Sequence, residues 1–269
     1  MSIPRKMIAS LSVLALATTV SAQDWAKAKL DSSPRHQELV TVKHGDRSVQ
    51  CYIVYPEVNR KAPVVLIIHE IFGLSDWARE TADQVAASGY VAIAPDLVSG
   101  LAPKGGGTGE FSGRDAVVKA VSGLPPDQVT ADLNAAADYA LQLPASNGKL
   151  FVAGFCWGGG ESFRFATTRS GLSAAFVFYG GAPKDFKAIA EILCPVYGFY
   201  GGSDARVSET VPATIEIMKK AGKTYEPVIY EEAGHGFMRT GEDPTGTAAN
   251  KKAHRRAWER WRELLGKNS

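Results

Sequence analysis

The chain has 269 residues, 45% hydrophobic and 22% charged, which suits a large mixed domain with a sizeable core and excludes a disordered or collagen-like chain. The formal net charge is +2, and Arg5 and Lys6 lie in a leading segment without acids, so the rest of the chain is formally neutral. A neutral chain has no general electrostatic attraction to nucleic acid, so any partner must be recognised locally.

Residues 1–22 read as a secretory signal peptide: the basic pair Arg5 and Lys6, the apolar run MIASLSVLALATTV, then small residues at Val20, Ser21 and Ala22. The apolar run is shorter than the ~20 residues of a spanning helix. Cleavage before Gln23 is expected to leave residues 23–269 as a single exported domain, periplasmic or secreted, with no membrane attachment. Three cysteines remain, and an odd number leaves at least one thiol outside any intrachain disulfide. Cys51 and Cys194 lie in or beside apolar strand patterns and read as core residues.

The segments ELVTVK (38–43) and SVQCYIVYP (48–56) alternate apolar and polar residues around His44-Gly45-Asp46, the pattern of an opening hairpin. APVVLIIHE (62–70) is continuously apolar, as a strand buried on both faces requires. TADQVAASG has helical spacing and stops at Gly89, and YVAIAPD (90–96) is a second buried strand. Residues 97–125 break the rhythm, and the Gly-rich stretch 99–113 predicts a mobile loop or lid. ADLNAAADYALQL is an Ala-rich helix ending at Pro144. The alternation resumes with KLFVAGF, a helix from about 158, AAFVFYG, PVYGFYG, a helix through TIEIMKKAG, and YEPVIYE. In the last segment, Ala257, Trp258, Trp261, Leu264 and Leu265 form one apolar stripe, the mark of a helix that covers a sheet. The expected fold class is α/β, a mainly parallel sheet with helices on both faces.

Chemistry concentrates at LFVAGFCWGGGESF. A buried strand runs into Gly154-Phe155-Cys156-Trp157-Gly158 and then into a helix, the G-x-S-x-G nucleophile elbow with cysteine as the nucleophile. Glycines flanking a sharp turn let strand and helix approach without a Cβ clash, and the helix N-terminus favours a thiolate. The Trp157 amide is the expected oxyanion donor. In this arrangement the acid follows the nucleophile and the histidine comes last. Asp204, in YGFYGGSDARV, and His235, in EEAGHGFMRTG, each follow a strand in that order. His36, His44 and His254 lie away from the strand ends that carry the site, while His69 and Asp96 precede the nucleophile.

The blocks HEIFG (69–73), GFCWGG (154–159), GGSDARV (201–207) and EEAGHGFMRTG (231–241) together resemble the dienelactone hydrolase family of the α/β-hydrolase superfamily, from about residue 35 to the C-terminus. The resemblance implies a Cys156-Asp204-His235 triad acting on an enol-lactone or related ester, with no metal or organic cofactor. It implies that Glu70 holds the resting cysteine and helps form the thiolate. Ile71 is implied as the second oxyanion donor, and Arg239 as the residue that binds a substrate carboxylate. A second carboxylate-binding arginine of the family, soon after Pro-Asp-Leu, has no counterpart here; Gly100 is near the place, and Lys104 is the nearest cation. The expected partner is a small-molecule ester or lactone, and the role implied for Arg239 points to an acidic one. The alternatives are a general esterase of small neutral esters, and a non-catalytic binding protein on the same fold.

Overall fold

The structure is a computed structural model, and it describes residues 23–269; the expected leader, residues 1–22, lies outside the described residues. Among these residues eight strands form one sheet: β1 (Gln37–His44), β2 (Arg47–Val54), β3 (Ala62–Ile68), β4 (Val91–Pro95), β5 (Ser146–Phe155), β6 (Leu172–Phe178), β7 (Val196–Gly201) and β8 (Tyr225–Tyr230). Their order is β1-β2-β4-β3-β5-β6-β7-β8. The β1–β2 hairpin is antiparallel and β2 joins β4 antiparallel, while every pairing from β4 to β8 is parallel. The expected opening hairpin and mainly parallel sheet are both present.

Among the described residues, ten helices surround the sheet: α1 (Asp24–Asp31), α2 (Asp76–Ala87), α3 (Arg114–Ser122), α4 (Pro126–Leu141), α5 (Trp157–Thr168), α6 (Phe186–Ala190), α7 (Ala205–Ser208), α8 (Val211–Lys220), α9 (Phe237–Thr240) and α10 (Ala248–Lys267). Alternation along each strand divides the core in two. On β3, Val65 and Ile67 face a layer made by α1, α2 and α10, with Trp77, Trp258 and Trp261 packed on Phe155, Phe176 and Phe178. Val64, Leu66 and Ile68 face the other layer, where α4, α5, α6 and α8 bring Leu133, Phe163, Ile189 and Met218. The stripe Ala257, Trp258, Trp261, Leu264 and Leu265 is buried, so the terminal helix covers the sheet as its spacing predicts. None of the helices among the described residues is long and apolar enough to cross a membrane.

The Gly-rich stretch 99–113 is irregular apart from a 3₁₀ turn, Thr108–Glu110, and α3 follows directly after it, an element that the Gly-rich reading did not anticipate. Val117 and Val121, an apolar pair four residues apart on α3, pack on Val98, with Ile71 and Trp157 against them. The turn is anchored as well. Asp96 accepts from the Thr108 amide at 2.7 Å and from its hydroxyl at 2.8 Å, and that hydroxyl oxygen accepts the Leu74 N–H at 2.9 Å. The Gly-rich segment is thereby fastened to the loop after β3.

Candidate active site

The site is built around the end of β5. Cys156 sits between β5 and α5 with φ 56° and ψ −117°, a conformation costly for a residue with a Cβ, on the order of 1–3 kcal/mol. Surrounding contacts hold it there: the Cys156 N–H donates to the Phe178 carbonyl at 3.0 Å, and its own carbonyl accepts from Gly159 at 3.0 Å. The flanking glycines are required by space. A Cβ on Gly154 would meet the Gly158 carbonyl oxygen at 1.8 Å, and one on Gly158 would meet the His69 carbonyl oxygen at 2.3 Å. Trp157 is the first residue of α5, so no preceding turn of its own helix supplies an acceptor for its N–H.

Two loops from neighbouring strands bring the partners of the thiol. Asp204 follows β7 and is buried, and His235 follows β8 between two glycines. The loops lock together because the Ser203 N–H donates to the Ala233 carbonyl at 2.9 Å, and Gly201 has no room for a Cβ against that same carbonyl oxygen. From the other side, Asn250 on α10 accepts the Gly234 N–H at 2.9 Å. The result is a continuous chain: His235 Nδ1 lies 2.5 Å from Asp204 Oδ2, and His235 Nε2 lies 3.0 Å from Cys156 Sγ. Burial alone would lower the His235 pKa, but its bonds to the thiol and to Asp204, and their charges, outweigh burial and raise it to about 9.

Glu70, at 2% exposure, lies in the loop just after β3, beside this chain. It accepts from the Tyr179 hydroxyl at 3.2 Å and from Arg239 Nε at 2.7 Å. In this structure Tyr179 and Arg239 hold Glu70, while His235 holds the thiol. Tyr179 stays a neutral donor, since burial and then the Glu70 charge push its pKa well up. Tyr179 also meets His235 edge-on, with ring centroids 5.1 Å apart. Arg239 keeps its charge despite burial because Glu70 is its partner.

Arg239 also faces a cavity of about 630 Å³ lined by Phe72, Leu74, Arg79, Thr108 and Arg114. Two guanidinium groups approach the Phe72 ring, Arg114 at 4.0 Å and Arg239 at 5.3 Å from its centroid. Lys104, the nearest cation by sequence, lines a different cavity with Asp46 and Arg47. Motif reasoning missed Arg114, whose only signal was its place at the start of a helix concealed by glycines. Tyr179 was missed too, although its position after β6 and its positive φ of 42° mark a constrained strand end. Two further histidines have partners outside the triad: His44 lies 2.6 Å from Asp132, and His69 lies 2.7 Å from the Glu70 carbonyl. Cys51 and Cys194 are buried free thiols, with burial raising their pKa to about 12 and about 11. Among the described residues no group of three or more His, Cys, Asp and Glu side chains could hold a metal ion.

Comparison with known proteins gives the family of the chain. The model of the dienelactone hydrolase family matches residues 49–269. A carboxymethylenebutenolidase of Pseudomonas putida is 33% identical, over 76% of this chain and 86% of that protein. A candidate carboxymethylenebutenolidase of Methylorubrum extorquens is 31% identical, over 74% of this chain and 71% of that protein. Among solved structures, that of a candidate dienelactone hydrolase from Klebsiella pneumoniae is 26% identical, with a TM-score of 0.74, covering 86% of this chain and 98% of that one. The shared sheet and helices are those of the α/β-hydrolase fold. With most of its length matched by the family model, this chain belongs to the dienelactone hydrolase family.

Proposed function

We propose that the protein hydrolyses a carboxylic ester or lactone through a thioacyl intermediate on Cys156. The observation that carries this reading is the hydrogen-bonded chain from Cys156 through His235 to Asp204 at the end of a strained elbow. In acylation the Cys156 sulfur attacks the carbonyl carbon, and the proton of the thiol resides on His235. The amides of Trp157 and Ile71 take the developing oxyanion. Collapse breaks the C–O bond, and the His235 imidazolium gives its proton to the departing alkoxide. Neutral His235, oriented by Asp204, then takes a proton from water as the hydroxide attacks the thioester, and the C–S bond breaks to release the acid.

An acidic substrate suits the cavity because its carboxylate can draw on Arg239, the partner of Glu70. Competition for that guanidinium frees the Glu70 carboxylate to assist thiolate formation. A neutral small ester is the alternative substrate, favoured by the fact that Arg239 is already paired. The leader supports export before cleavage, with the mature protein acting in the periplasm or outside the cell.

The deciding experiment uses p-nitrophenyl acetate together with acidic and neutral lactones. Cys156→Ala is expected to lose at least roughly 1,000-fold in turnover of each substrate that the parent cleaves. Acid-quenched parent enzyme is expected to carry an acyl group on Cys156. Turnover by Cys156→Ala at the parent's rate would sink the reading, and a preference for neutral over acidic lactones would select the alternative substrate class.

A further inference from the structure

His69 is fully buried at the junction between β3 and the loop that carries Glu70 and Ile71. Both of its ring nitrogens are engaged. Nδ1 lies 2.7 Å from the Glu70 carbonyl oxygen, and Nε2 accepts the Leu97 N–H at 3.4 Å. The second bond fixes the tautomer: Nε2 is the acceptor, so Nδ1 carries the hydrogen and donates to Glu70. Burial lowers the pKa of this imidazole and keeps it neutral, the form this pattern requires.

The Glu70 carbonyl and the Ile71 N–H belong to one peptide unit. In a trans peptide these groups point in opposite directions, so a clamp on the oxygen sets the direction of the N–H. The clamp has two arms, the His69 ring at 2.7 Å and the Gly73 N–H at 3.1 Å. No protein acceptor among the described residues meets the Ile71 N–H. The same imidazole lies nearly parallel to the Trp157 indole, with centroids 5.7 Å apart and planes inclined by 20°. His69 therefore touches the elements that present both amides assigned to the oxyanion, one through a peptide plane and one through a ring stack.

We propose that His69 is a positioning residue that aims the Ile71 amide, and steadies the Trp157 element, toward the oxyanion formed during acyl transfer. This rests on the Cys156 acyl-transfer reading given above. His69 moves no proton and touches no substrate. Its contribution is to hold a donor in place before charge develops, so that little reorganisation remains in the transition state.

The test separates carbonyl chemistry from thiol reactivity. His69→Phe keeps a ring against Trp157 but removes the donor to Glu70, whereas His69→Asn keeps an N–H at the reach of Nδ1. For p-nitrophenyl acetate, His69→Phe is expected to lower kcat roughly 10- to 100-fold with KM within about twofold, and His69→Asn to recover most of the loss. Alkylation of Cys156 by iodoacetamide forms no oxyanion and is expected to keep the parent's rate in both variants. His69→Leu replaces His69→Phe if the latter does not accumulate as folded protein. Unchanged kcat in the donor-free variant overturns the proposal, as does a parallel fall in alkylation, which would signify general damage to the site. Failure of the nucleophile assignment is read separately, as parent-level hydrolysis by Cys156→Ala.

Discussion

His235 is held by a carboxylate on one nitrogen and a thiol on the other, and this pair of bonds outweighs its partial burial. A histidine with a raised pKa is protonated below that value and loses its proton as pH rises through it. With the value at about 9, the imidazolium that the proposed mechanism uses to protonate a poor leaving group persists through neutrality and disappears in mildly alkaline solution. The kcat/KM for an ethyl ester is accordingly expected to fall above about pH 9, whereas p-nitrophenyl acetate, whose leaving group departs unprotonated, should fall much less. Asp204→Asn removes one of the groups that raise the pKa and is expected to move the alkaline fall toward neutrality. Parallel pH profiles of the two esters check this, and coincident falls for both would remove imidazolium donation from the acylation step. Cys156, Asp204 and His235 were legible in the sequence because each sits in a glycine-bounded block after an apolar strand. Tyr179 and Arg114 were not, because a strand-end tyrosine and a helix-start arginine have no local pattern that distinguishes them from solvent-facing neighbours.

The segment after β4 shows where element-level reading falls short. Glycine content implied mobility, yet Asp96 and Thr108 fasten the segment to the loop that leads from β3 into α2. Glycine is needed for close approach at this seam: a Cβ on Gly107 would lie 2.2 Å from Asp96 Oδ2, and one on Gly73 would lie 2.2 Å from Thr108 Oγ1. Composition records that glycine is present but not which atom approaches it, so a docked segment and a free one look alike in the sequence. Thr108→Val keeps the shape of the side chain but leaves the Leu74 N–H without its acceptor and Asp96 without one donor. It is expected to lower stability by about 1–3 kcal/mol and to speed amide exchange across residues 100–110. Urea unfolding and hydrogen exchange measure the two effects. Unchanged exchange in that segment would show that the hydroxyl does not fasten it. The strand elements, by contrast, were legible almost throughout, because continuous apolar runs leave few alternatives in a sheet buried on both faces.

At the scale of the whole molecule, a buried polar cluster joins parts of the chain that are distant in sequence. Lys29 of α1 donates to Glu242 at 2.5 Å, Gln84 of α2 donates to both Glu80 and Glu242, and the Trp77 indole donates to Glu242 at 3.1 Å. Glu242 lies just beyond α9, three residues after Arg239, so the seam that holds α1 and α2 also borders the loop that carries His235. No motif announces this cluster, since its members meet only after the sheet has formed. Burial and the neighbouring Glu242 charge push the Glu80 pKa up to about 8, against the opposing pull of Lys29. A carboxyl with a raised pKa costs the folded state nothing while both folded and unfolded chains are protonated. The cost begins as pH passes the ordinary glutamate value near 4.5 and is complete above about 8. His235 acts in the same direction at higher pH, because its raised pKa stabilises the fold below 6.5 and that stabilisation is lost through about 9. Glu80→Gln removes the first effect and leaves the second. It is therefore expected to gain stability relative to the parent as pH rises from 5 to 8, on the order of 1–3 kcal/mol at the alkaline end, with little difference at pH 5. Denaturant unfolding of both proteins across that range measures the difference. A constant offset between the two curves would mean that Glu80 is already ionised at pH 5 and that Lys29 and Gln84 compensate its charge in full.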